Sequence, residues 1–149
     1  MISKIKTFFN SILEQENIPA AADDHRIAIT ALLCEVCNAD HIISEEEEIT
    51  IERTLSKLLL IDQTQAKSLL QTGKEKIKSS NSLFDFTSQL RAADYDIRSR
   101  LIRAMWEVAY ADNHLDPIEE HIIRKVSDLI YVKHSEFIRT KLSVIEALP

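Results

Sequence analysis

Ile2, Ile5, Phe8, Phe9, Ile12 and Leu13 recur at the spacing of one helix face and predict an amphipathic helix over residues 1–17, ending before Pro19. A second apolar stripe, Ile27, Ala31, Leu32 and Val36, predicts a helix from Asp23 or Asp24 to about Ala39, its acidic start complementing the helix dipole. A turn at Asp40–Ile43 follows. Ser44 then stands three residues ahead of Glu47, the Ser-x-x-Glu capping-box pattern, and opens a helix that carries Ile51, Leu55, Leu58 and Leu59 toward a core. Asp62 ahead of Gln65 caps a further helix to about Lys78.

Ser79–Ser82 is polar and turn-prone, and Leu83, Phe84 and Phe86 give a short anchoring helix. From Asp96 the pattern starts again. A helix runs to Ala111, a turn occupies Asp112–Leu115, and Asp116 caps the next helix with Pro117 at its first position and Glu119 at its third. That helix ends near Tyr131, and Ser135 is the expected cap of a last one through Phe137, Ile138, Leu142 and Ile145.

The recurrence is a sequence repeat. A shift of 72 residues lays Glu35–Ile51 on Glu107–Ile123, with seven of 17 positions identical and the same turns and caps in register. Arg26 falls on Arg98, Ser44 on Asp116, Ile43 on Leu115 and Arg53 on Lys125. A single helical hairpin cannot bury its own apolar stripe, so two copies are expected to pack about a pseudo-twofold axis. The predicted fold is an all-α, compact bundle of about seven to eight helices in one domain spanning 1–149, with repeat one at about 23–78 and repeat two at about 95–147. His41 and Asn113 stand where each chain reversal calls for a left-handed residue, and Ile43 and Leu115 supply the apolar plug behind it.

Composition supports helices: 45% of residues are apolar, and one Gly and three Pro leave little material for the turns of a many-stranded sheet. Acids outnumber bases 24 to 18, for a net charge of −6, and no dense Lys/Arg stripe is present to neutralise phosphates, which argues against nucleic acid as partner. Met1–Leu13 lacks the uninterrupted apolar run of a signal peptide, and no stretch reaches the length of a membrane span. With two cysteines in such a chain, a reducing cytoplasmic location is expected.

The candidate chemistry is acidic. Asp40 with Glu45 to Glu48 in one half, and Asp112 with Asp116, Glu119 and Glu120 in the other, offer oxygen ligands of the kind Ca²⁺ or Mg²⁺ prefers. Capping and dipole preferences account for Glu47 and Glu119, and leave Asp40 and Asp112 as the matched acids they do not explain. The loops are not EF-hands, because counting from Asp112 puts Pro117 at the required glycine and Ile123 at the bidentate glutamate. Cys34-Glu35-Val36-Cys37 is formally a C-x-x-C, yet it lies late in a helix and its repeat counterparts are Trp106 and Ala109, so both cysteines read as core positions. Zinc would need two further ligands, and His25 and His41 lack finger spacing. The lone glycine, Gly73, rules against a phosphate-cradling loop, and His114, His121 and His134 have no nucleophile motif beside them.

The doubled Ala-Asp-polar-x-aliphatic-cap-x-x-Glu, Ala39–Glu47 and Ala111–Glu119, resembles the signature of the tellurite-resistance TerB-like domain over about residues 23 to 147. It is also similar to the N-terminal domain of the membrane-anchored DnaJ-type co-chaperone, whose J domain has no counterpart here. The resemblance implies an all-α duplicated fold, a stress-response or envelope-associated setting, and a metal-binding role centred on Asp40, Glu47, Asp112 and Glu119. His41 and Asn113 replace the family's usual glycine. The reading is thus a non-enzymatic interaction domain with a protein partner and a divalent-cation site. Its alternatives are a metal-dependent hydrolase using the same carboxylates, or a scaffold that docks through the N-terminal helix to a partner or to the inner face of a membrane.

Overall fold

A computed structural model describes residues 23–37, 43–79 and 82–148. The predicted helix over 1–17, the turn residues Ala39, Asp40 and His41, and the end of the helix before them lie outside the described residues.

Seven helices and no strand are found among the described residues: α1 (Asp23–Cys37), α2 (Glu45–Leu59), α3 (Gln63–Ser79), α4 (Phe84–Leu90), α5 (Tyr95–Ala109), α6 (Pro117–Leu129) and α7 (His134–Glu146). The all-α expectation holds, and so does the duplication. Helices α1 and α5 are each 15 residues long and start 72 residues apart, as do α2 and α6. Neighbours pair alike in both copies: α1 packs on α2 and α3 as α5 packs on α6 and α7, while α1 meets α6 as α5 meets α2. The axis that relates the copies runs where α1 and α5 pack on each other.

Local chemistry sets the helix boundaries. Ser44 and Asp116 each head a complete capping box: Glu47 N–H donates to Ser44 Oγ at 3.1 Å while Ser44 N–H donates to Glu47 Oε1 at 3.1 Å, and Asp116 N–H donates to Glu119 Oε1 at 3.0 Å. Asp62 and Gln65 exchange the same bonds at the head of α3. The other ends of α2 and α6 also match. Leu60 and Tyr131 both sit in the left-handed region, at φ 52° and 59°, and the next residue's N–H returns to Ser56 and Ser127 respectively. Leu60 and Tyr131 are 71 residues apart, so the second copy reaches its stop one residue sooner than the 72-residue register would place it.

Two sequence readings change. The last helix starts at His134 behind Lys133, which makes no side-chain cap, so Ser135 is inside the helix. Leu142 and Ile145 face solvent, and the buried stripe is Phe137, Thr140 and Val144.

The core forms around α1, which is apolar on nearly every side: Ala28, Ile29, Ala31, Leu32, Leu33, Cys34, Val36 and Cys37 are all buried, and five of the other six helices pack on it. Ile43 and Leu115 are half-buried against this core, as the plug reading expects. The repeat also identifies equivalent ties. Lys74 of α3 pairs with Glu48, and Lys141 of α7 with Glu120 at 2.8 Å, so each third helix is pinned to a glutamate 72 residues from its counterpart. Arg98 caps the end of α6 through Nη1 bonds to Ile130 O at 2.8 Å and Tyr131 O at 3.3 Å, helped by Arg91 Nε on Leu129 O at 2.9 Å. Arg26, its counterpart, keeps a buried Nε with no hydrogen-bond partner among the described residues.

Gly73 marks the closest approach of α1 and α3. A Cβ there would lie 2.6 Å from Thr30 Cγ2. Thr30 is fully buried and its hydroxyl donates to Arg26 O at 2.7 Å, so the methyl group has no easy way aside. Gly73→Ala should therefore lower the urea-unfolding free energy by about 1–2 kcal/mol, overpacking outweighing the better helix propensity of Ala. Thr30→Ser, which removes the methyl and keeps the hydroxyl, should restore most of that loss in the double variant. A Gly73→Ala protein as stable as the parent would show that the two helices are not in such contact.

Candidate functional site

The second acidic turn is built by three successive devices. Helix α5 ends at Ala109, and Asn113 reverses the chain at φ 62°, a conformation asparagine tolerates, with its N–H on Tyr110 O at 2.9 Å. The Asp112 carboxylate then accepts His114 N–H at 3.0 Å. Asp116 accepts Ile118 N–H at 2.8 Å and starts α6. Asn113 thus does what the glycine of the signature would do. The first turn, with Asp40, lies outside the described residues.

The pseudo-twofold brings the capping glutamates of both halves together. Glu119 is half-buried, and its carboxyl is pushed up to about 7, first by burial, then by the charges of Asp112, Asp116 and Glu47; its bond from Asp116 N–H opposes the shift. Glu47 reaches it from the other repeat. Cys37, at the end of α1, faces both glutamates and donates its thiol hydrogen to Glu47. Of the four residues named as ligands from the sequence, Glu47 and Asp112 act on the Glu119 carboxyl through their charge, as does Asp116, while Asp40 lies outside the described residues.

One oxygen of each capping glutamate accepts a backbone N–H at its own helix start. All the available donors are carboxylate oxygens, the ligand type of Ca²⁺ and Mg²⁺. Among the described residues, no three His, Cys, Asp or Glu side chains converge closely enough to hold an ion as they stand. The cysteines add nothing to such a set. Burial pushes the Cys34 thiol up to about 12 and raises that of Cys37 as well, which keeps both protonated and poor as ligands or nucleophiles.

The sequence places Glu119 in the acidic set of the second turn and as a cap, but its partial burial and the charge of Glu47 acting on it depend on packing between the repeats and have no local signal.

Because the folded state holds the Glu119 proton more tightly than the unfolded chain, its contribution is most favourable below the ordinary carboxylate value of 4.5 and is lost as pH rises toward about 7. Glu119→Gln keeps the acceptor for Asp116 N–H and removes the charge. The variant should gain on the parent between pH 5 and pH 8, ending on the order of 1 kcal/mol more stable once solvent screening is allowed for. Urea unfolding at both pH values reads this directly, and parallel pH profiles would refute the shift.

The sequence model of one protein family, described as Tellurite resistance protein TerB, matches residues 26–142. No curated protein and no solved structure matches the chain.

Proposed function

The chain belongs to the TerB family, and from that premise we propose that it is a non-catalytic interaction domain whose two acidic turns bind a divalent cation across the pseudo-twofold axis. The family match covers both repeats and thus both turns. What supports the cation reading is the setting of Glu119, a half-buried acid whose carboxyl is pushed up by burial and by the charges of Asp112, Asp116 and Glu47. A proton relieves that repulsion at low pH. A hard dication relieves it at neutral pH, where oxygen ligands suit Ca²⁺ or Mg²⁺.

Glu47, Asp112 and Glu119 would hold the ion, with Asp40 as the sequence counterpart of Asp112. Binding draws the carboxylates together, so the site is expected to be weak and its occupancy to stiffen the contact between the repeats. The family's description names tellurite resistance, which supports reading a stress-response role for the domain. Among the described residues no helix is long and apolar enough to cross a membrane.

Calorimetric titration with Ca²⁺, Mg²⁺, Mn²⁺ and Zn²⁺ tests the proposal. At about pH 6.5, binding should raise the Tm and release protons, since the ion displaces the hydrogen held on Glu119. Asp112→Asn with Glu119→Gln should abolish both effects. No heat and no thermal shift with any of the four ions would remove the cation reading.

A further inference from the structure

Helix α4 leads into α5 through the four residues 91–94 and packs back on α1 and α6, burying Phe86, Thr87 and Leu90. Because α1 meets α6 as α5 meets α2, the pseudo-twofold carries that seat onto α5 and α2. The chain that leads into α1 is residues 1–22, which lie outside the described residues. A segment entering α1 has the same access to the seat on α5 and α2 as α4 has to its own, since consecutive elements pack as neighbours.

The sequence of that segment fits the seat. Phe9, Ser11 and Leu13 repeat the spacing of Phe86, Ser88 and Leu90, of which the two apolar residues are buried and the serine is exposed. The match falls at an offset of 77 instead of 72, so the link into α1 is five residues longer than the link into α5. A longer link costs little, because closure entropy grows slowly with length. Charge agrees as well. Arg53, Lys57, Arg100 and Arg103 line the seat with one carboxylate, Glu107, 4.0 Å from Lys57 and 3.8 Å from Arg103, while Arg100 is held by Asp96 at 2.9 Å. Half-buried Leu58 and buried Ala104 supply its apolar floor. In the other half Arg91, directly after Leu90, donates to Leu129 O at 2.9 Å. At the two offsets their counterparts are Glu14 and Lys57, an acid set against a base.

We propose that Thr7–Leu13 of this chain is the counterpart of α4, seated on α5 and α2 with Phe9 and Leu13 against Leu58 and Ala104, and with Glu14 and Glu16 beside Lys57 and Arg103. The duplication is then complete, each half being covered by the helix that enters the other's partner. Apolar side chains one helical turn apart hold the segment in place, and the charge pairs fix its register. In this seat the apolar stripe of the N-terminal segment is turned inward, so docking through it to a membrane or to another protein requires the segment to leave first.

Ser11→Cys, at the position whose counterpart Ser88 is exposed, gives the full chain one reactive thiol, because Cys34 and Cys37 are buried. A nitroxide attached there should broaden the amide signals of Thr54, Lys57 and Arg103 and leave those of α4 sharp. Broadening that is absent, that centres elsewhere on the protein, or that arises only between a labelled chain and an unlabelled second copy would overturn the proposal. Chymotrypsin cleavage after Phe8 and Phe9 reads the same seat through the population of released segment. Lys57→Glu with Arg103→Glu should speed it on the order of fivefold, since like charges then face Glu14 and Glu16. Adding Glu14→Lys with Glu16→Lys should bring the rate back close to that of the parent. An unchanged helical circular dichroism spectrum confirms that each variant is folded. Equal cleavage rates in all three proteins, or a quadruple variant cut as fast as the double one, would also overturn the proposal.

Discussion

Helix α1 has no polar face wide enough to meet water. With Ile29, Ala31, Leu32, Leu33, Cys34 and Val36 all fully buried, it has to be enclosed on every side, and its own hairpin partner α2 covers only one of them. Helices α3, α4, α5 and α6 supply the rest, so two hairpins meet because neither can satisfy α1 alone. The second copy's α5 is less demanding. It keeps a charged stripe at Asp96, Arg100, Arg103 and Glu107 where α1 is apolar.

Much of this was legible in the sequence because the signals are local. Ser44 with Glu47 and Asp116 with Glu119 announce helix starts through bonds made within four residues, and the 72-residue shift tied those starts to a common architecture. Helix ends were harder. Leu60 and Tyr131 turn the chain in a conformation that neither side chain favours, so no residue type there advertises the stop. Gly73 was read for what a lone glycine excludes, whereas its position is set by Thr30, 43 residues away in sequence. Leu142 and Ile145 looked like core because periodicity finds an apolar stripe without saying whether another helix lies opposite.

The acidic turns show the same division. Which carboxylates belong to caps follows from spacing, but the strength of their repulsion depends on how closely two repeats approach and how much water remains between them. Only the packed bundle sets Glu47 against Glu119, with Cys37 beneath them. Capping contributes to this: each glutamate turns one oxygen to the backbone N–H of its own helix start. The local rule that stabilises both helix starts thereby concentrates like charge on the axis.

The exchange of Cys34 for Trp106 at one duplicated core position gives each half of the molecule its own reporter. Both side chains are fully buried and each lies near a lysine of its third helix, Lys74 for the thiol and Lys141, 5.4 Å from the ring, for the indole. Indole fluorescence follows the opening of the second half, because Trp106 is the only tryptophan in the chain. Thiol-labelling rates follow the first half, where both cysteines reside. Ancestral duplication followed by divergence has thus left a native two-channel record of whether the halves open in one concerted step or come apart in turn.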